Sequence, residues 1–349
     1  MDKLKRQNIY APSDSGIAFM LAIFVPQILI VLVLILFGKQ VATSTLASAL
    51  VPQISFLLTF VYVSEKRKVN YKKANQINFA INPWVMLVVL LIGVVSMLGF
   101  SPLISIFDTV TTSWGYKSSV ANIDVSSFLK FFGAVLYVAL LPAICEELIF
   151  RGIVTNGLKK YGTATAVAIS AVFFALMHQN LQQLIYQLFL GAVMAYIALK
   201  TGSIIYTMCL HFFNNFVILL LSYLNVDIFA GLDYSKPLVI VLSILLAIAT
   251  VGIVCLLLWA VNCITKHKQK TTPNDAKNCA ENVAIQTSTT EASENGESAD
   301  AKKVGESAQL NLALIRADQT DKFYKNAFVV SALVVGVIMW VASVIVAFN

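Results

Sequence analysis

Residues 127–151 read SFLKFFGAVLYVALLPAICEELIFR. Between Lys130 and Glu146 the stretch holds no charged residue, and with its flanks it approaches the ~20 apolar residues that cross a bilayer as a helix. It then places Glu146, Glu147 and Arg151 within six positions. An ionisable group next to hydrocarbon is costly, so it faces a partner or a cavity and carries a task. On a helix Glu147 and Arg151 are i, i+4 and share a face, where they can pair. Glu146 points about 100° away around the same helix. The doublet thus offers one carboxylate tied to Arg151 and one free to face a cavity.

Two more apolar runs carry a polar signature. One is Phe174-Ala175-Leu176-Met177-His178, and the other is His211-Phe212-Phe213-Asn214-Asn215. The chain has 3 histidines, and two of them sit here. Between Asp124 and Asp227 the only acidic residues are Glu146 and Glu147. By the helical rise, Glu146 lies ~20 Å, His178 ~24 Å and His211 ~14 Å in from the same end of their helices. All three depths fall within a hydrocarbon core ~30 Å thick. Two carboxylates, two imidazoles and a carboxamide are the groups that a water-activating hydrolase needs.

The whole chain is a membrane protein by composition. Of its 349 residues 58% are apolar and 12% charged. The predicted architecture is all-α, a polytopic bundle of about eight core spans plus a ninth C-terminal span. The nine lie near 17–37, 43–63, 84–107, 127–150, 164–178, 181–199, 203–224, 237–263 and 327–348. The fifth is short for a span. The first is too long for a signal-peptide core and is read as a retained helix.

Lys and Arg set the orientation. With the N-terminus in the cytoplasm, only Lys39, Lys117, Lys130 and Lys236 of the 25 fall outside. That bias follows the positive-inside rule and accounts for the net charge of +7 without nucleic acid. The expected location is the cell membrane, multi-pass, with the C-terminus outside.

Five cysteines without CxxC spacing argue against a disulfide framework. Cys145 and Cys209 are read as buried apolar filler. Residues 265–326 are rich in Thr, Ser, Asn, Ala and Glu, a composition that cannot bury enough apolar surface to order itself. They are expected to form a disordered cytoplasmic linker, and the ninth span a plain anchor, with packing against the other helices as a regulatory or substrate-gating element as the alternative. The full division is 1–126 N-terminal helices, 127–223 catalytic core, 224–264 eighth helix, 265–326 linker and 327–349 last helix.

At these motifs the chain resembles the CPBP family, the CAAX-processing and bacteriocin-processing intramembrane proteases, also called the Abi or Ras-converting-enzyme-like family. The family pattern is E-E-x-x-x-R, then F-x-x-x-H, then H-x-x-x-N/D, and all three occur in order on separate apolar segments. The resemblance implies an intramembrane endopeptidase. Glu146 would activate water, with His178 helping to hold it. His211 and Asn215 would donate to the oxyanion, Glu147 and Arg151 would support Glu146, and Phe174 would shape the wall. The substrate would be a peptide or membrane-associated protein, with the lipid bilayer as the other partner.

The family is often labelled metalloprotease. Glu146, Glu147, His178 and His211 supply ligand types for zinc with an open position. Glutamate-activated water without metal explains the same residues, there is no H-E-x-x-H, and no cofactor is the preferred reading. Two other classes compete. A transporter or ion relay would use the intramembrane Glu, Arg and His and would show paired halves with broken helices. A non-catalytic immunity scaffold would be expected to lose motif members.

Overall fold

Prolines and short polar side chains mark where the helices begin. In the computed structural model, which describes residues 9–118, 123–270 and 323–348, Pro12 opens α1 (Pro12–Phe37) and Pro83 opens α3 (Pro83–Ser113). A proline is tolerated there because the first turn has no use for its missing N–H. Ser44 caps α2 (Thr45–Arg67) by accepting from Ala47 N at 3.1 Å. Ser127 caps α4 (Phe128–Tyr161) in the same way. Gly162, at φ 88°, ends α4 where a side chain would be strained, and Gly202 does the same after α6. The remaining helices are α5 (Thr163–Met177), α6 (Leu184–Thr201), α7 (Ile205–Tyr223), α8 (Pro237–Lys270) and α9 (Ala327–Ala347). No strand occurs among the described residues.

Eight of these helices are long and apolar enough to cross a membrane, α5 being the exception. At 15 residues it is ~22 Å long, against a hydrocarbon core of ~30 Å. It nonetheless joins the two ends of the bundle. At one end Tyr10 Oη meets Ser64 Oγ at 2.7 Å, Asn156 donates to Ala74 O at 3.2 Å and Ser203 donates to Asn78 O at 2.6 Å. At the other, Asn180 donates to Ser118 Oγ at 3.1 Å, and Leu181 N–H to Tyr116 Oη at 3.0 Å. These connections therefore sort to opposite ends of the bundle. α8 runs on to Lys270, past the start expected for the linker at residue 265; residues 271–322 lie outside the described residues.

α4 sits in the middle. Every side chain from Leu148 to Leu158 is buried, and α1, α2, α5 and α6 pack around that stretch. Phe19 of α1 stacks on Phe173 of α5 with centroids 4.1 Å apart.

The expectation of a plain anchor for the last span gives way here. α9 packs along α1 and α5, with Val329 and Ala332 fully buried. Gly336 lies against Phe19, where an added Cβ would fall 2.7 Å from Cε1 of the ring. A residue of any other type there would hold the two helices apart.

Candidate active site

The helix that carries the acidic doublet is not uniformly α. Residues Val135–Leu140 and Leu148–Thr155 are wound as π-helix, with the α-turns of Leu141–Glu147 between them. π-turns are rare, and they leave carbonyls that neighbours must satisfy. The first follows from composition. Pro142 has no N–H for the carbonyl of Val138 one turn earlier. Asn215 of α7 supplies a donor instead, Nδ2 to Val138 O at 3.1 Å. In the second, Thr155 Oγ1 donates to Phe150 O at 2.7 Å, and Asn156 Nδ2 donates to Arg151 O at 3.0 Å.

On that frame the doublet divides as helical geometry requires. Glu147 and Arg151 are both 0% exposed, and Arg151 Nη1 donates to Glu147 Oε1 at 2.7 Å. Arg151 Nη2 reaches the carbonyl of Gly191 at 3.3 Å. Helix α6 comes close enough because a Cβ at Gly191 would meet Phe174 Cδ1 at 3.1 Å. The guanidinium also lies over the Phe174 ring, 4.3 Å from its centroid, a favourable cation–π placement. Glu147 Oε1 accepts a second bond, from His211 Nδ1 at 3.0 Å.

Glu146 faces the other way, into a pocket of about 530 Å³ between α3, α4, α6 and α7. Its Oε2 finds no hydrogen-bond donor among the described residues and lies 4.0 Å from His211 Nε2. His178, His211, Asn214 and Asn215 line the same pocket. Met97, Ile104, Ile218 and Leu219 form its apolar side, and Gln182, Gln183, Tyr186 and Gln187 its polar side. Phe174 joins the three motifs, with its ring 4.9 Å from that of His178 and 6.0 Å from that of His211.

The hydrogen bonds fix both imidazole tautomers. A carbonyl and an ionised carboxylate only accept, so each Nδ1 must carry a proton. His178 Nδ1–H donates to Phe174 O at 2.8 Å, and His211 Nδ1–H donates to Glu147. In the neutral form each ring then presents the Nε2 lone pair. His211 Nε2 donates only when the ring is doubly protonated.

Asn215 divides its amide. One Nδ2 hydrogen goes to Val138 O, and Oδ1 accepts from Asn214 Nδ2 at 3.2 Å. Tyr186 Oη donates to Asn214 Oδ1 at 2.6 Å, so a short chain runs from Tyr186 through Asn214 to Asn215. Sequence reasoning missed Tyr186, Asn214 as its partner and Gly191. A tyrosine hydroxyl inside an apolar run was the available signal, since a buried Tyr seeks a partner.

Of the side chains considered as zinc ligands, Glu146, His178 and His211 line the pocket. Among the described residues no three His, Cys, Asp or Glu side chains group closely enough to hold an ion. Glu147 is taken up by Arg151 and His211. The described cysteines form no disulfide, and Cys145 is buried.

Comparison with protein families matches part of the chain. Residues 128–217 fit the family described as type II CAAX prenyl endopeptidase Rce1-like. The matched segment includes every motif residue from Glu146 to Asn215. No curated protein and no solved structure matches the chain.

Proposed function

We propose that this chain, whose residues 128–217 match the Rce1-like type II CAAX prenyl endopeptidase family, hydrolyses a peptide bond inside the bundle with water activated by Glu146. The observation that carries this reading is that Glu146 lines the pocket, its buried Oε2 without a protein donor, beside two oriented imidazoles. Water bound there would lose a proton to Glu146 while its other hydrogen bonds His178 Nε2. The hydroxide attacks the peptide carbonyl. The oxyanion accepts from doubly protonated His211 Nε2–H and from the second Nδ2 hydrogen of Asn215. Protonated Glu146 then gives its proton to the leaving amine. In a site closed to bulk water, fixed donors stabilise the oxyanion more than water would.

This mechanism needs no metal. The substrate class is a peptide or a membrane-associated protein, because the pocket joins an apolar wall to amide-bearing side chains. The test is a peptide library, with and without a prenylated C-terminus, given to the purified full-length protein and to Glu146→Ala. Cleavage by the wild type alone supports the proposal. Equal cleavage by both proteins would sink it.

A further inference from the structure

The side chain of Ser343 in α9 lies beside the residue that follows His178. Its Oγ is 3.0 Å from Gln179 O and 2.7 Å from Trp340 O, so its single proton serves two carbonyls. Gln179 has φ 48°, a left-handed conformation that a non-glycine residue keeps only when its surroundings hold it. Those surroundings come from three places. Asn180 bonds Ser118, and Leu181 N–H bonds Tyr116 Oη. The segment around Tyr116 is held in turn by α9, through Lys117 N–H to Ala347 O at 2.8 Å and the edge contact of Tyr116 with Phe348, centroids 5.5 Å apart. Two residues before His178, Leu176 packs near Gly336 of α9. The clamped junction then leads directly into Gln182, Gln183 and Tyr186 of the pocket wall.

We propose that α9 is a positioning element of the active site. It clamps the turn after His178, and the attachment of this helix sets how well His178 holds the attacking water. α9 lies outside the family-matched segment. The role in catalysis rests on the endopeptidase reading above, whereas the clamp itself does not.

The experiment uses the full chain with Gly336→Ile, which wedges α9 off Phe19, and with Ser343→Ala and Ser343→Thr. Two readouts are taken: amide hydrogen exchange over residues 176–187, and kcat and KM on a peptide that the wild type cleaves. Gly336→Ile and Ser343→Ala should exchange faster over that stretch, and their kcat should fall by about ten- to a hundredfold with KM nearly unchanged, the scale of a small misplacement. Ser343→Thr keeps the hydroxyl and should restore both. If Gly336→Ile does not fold, Ser343→Ala alone decides. Wild-type exchange in the folded variants would overturn the clamp, and wild-type kcat with altered exchange would overturn its role in positioning. A wild type that cleaves nothing would count against the endopeptidase reading, while exchange still decides the clamp.

Discussion

The imidazole of His211 and the carboxylate of Glu147 are 64 residues apart in sequence and 3.0 Å apart in space. Arg151 holds the same oxygen. One buried carboxylate therefore orients a ring on α7 and neutralises a cation on its own helix. The doublet has two jobs, and the two glutamates should respond differently to mutation.

Replacing Arg151 with alanine leaves Glu147 without its full countercharge in a site closed to solvent. Breaking a buried pair from one side costs about 3–5 kcal/mol. Arg151→Ala should unfold at clearly lower temperature or denaturant in detergent. An unfolding midpoint equal to that of the wild type would show that the pair is not structural.

Glu146→Ala and His178→Ala should behave in the opposite way. Neither side chain is the sole partner of a buried charge, so both variants should insert and fold. Cleavage should fall by about 10² to 10⁴-fold, the usual size of general-base catalysis. Single-turnover assays on monodisperse protein measure this. Full activity in Glu146→Ala is incompatible with the mechanism.

Asn215 is expected to have separable roles. Asn215→Ala should lower kcat by about 10² to 10³-fold, as loss of an oxyanion donor does. It also removes the donor that Val138 O lacks because of Pro142. Adding Pro142→Ala should return the stability that Asn215→Ala costs but not its activity. If the double variant recovers turnover, Asn215 acts only through the backbone of α4.

The metal question is settled by elemental analysis and chelation. The metal-free proposal expects near-zero zinc in purified protein and activity indifferent to a strong chelator. Stoichiometric zinc that disappears in both His178→Ala and His211→Ala would make the imidazoles ligands through Nε2.

Orientation rests on the charge bias alone. A membrane-impermeant thiol reagent added outside should label Asp227→Cys and leave Asn70→Cys untouched. The reverse pattern would turn the bundle over.

Much of the site was legible because helical periodicity acts within one segment. The shared face of Glu147 and Arg151, and the divergence of Glu146, follow from the angle between successive residues. That the three motifs meet at one pocket was not legible in this way, because it depends on how α4, α5 and α7 pack. The π-turns were not legible, since no residue pattern marks them apart from Pro142. Nor was the Tyr186–Asn214 bond, which depends on how α6 and α7 face each other. The packing of α9 was hidden by its composition. A helix of Val and Ala reads equally well as a lipid-facing anchor, and only the match of Gly336 to Phe19 distinguishes the two.

The contact between α1 and α9 also orders events during synthesis. α1 is the first of the described helices to be made, and the partner for its inner face is the last. At ~5–20 residues per second, translation of the intervening chain takes roughly 15–60 s. Throughout that interval Gly16 lacks its neighbour Phe328, although Phe173 of α5 can already stack on Phe19. Docking of α9 thus follows insertion of the other described helices, and the turn beside His178 acquires its final shape only then.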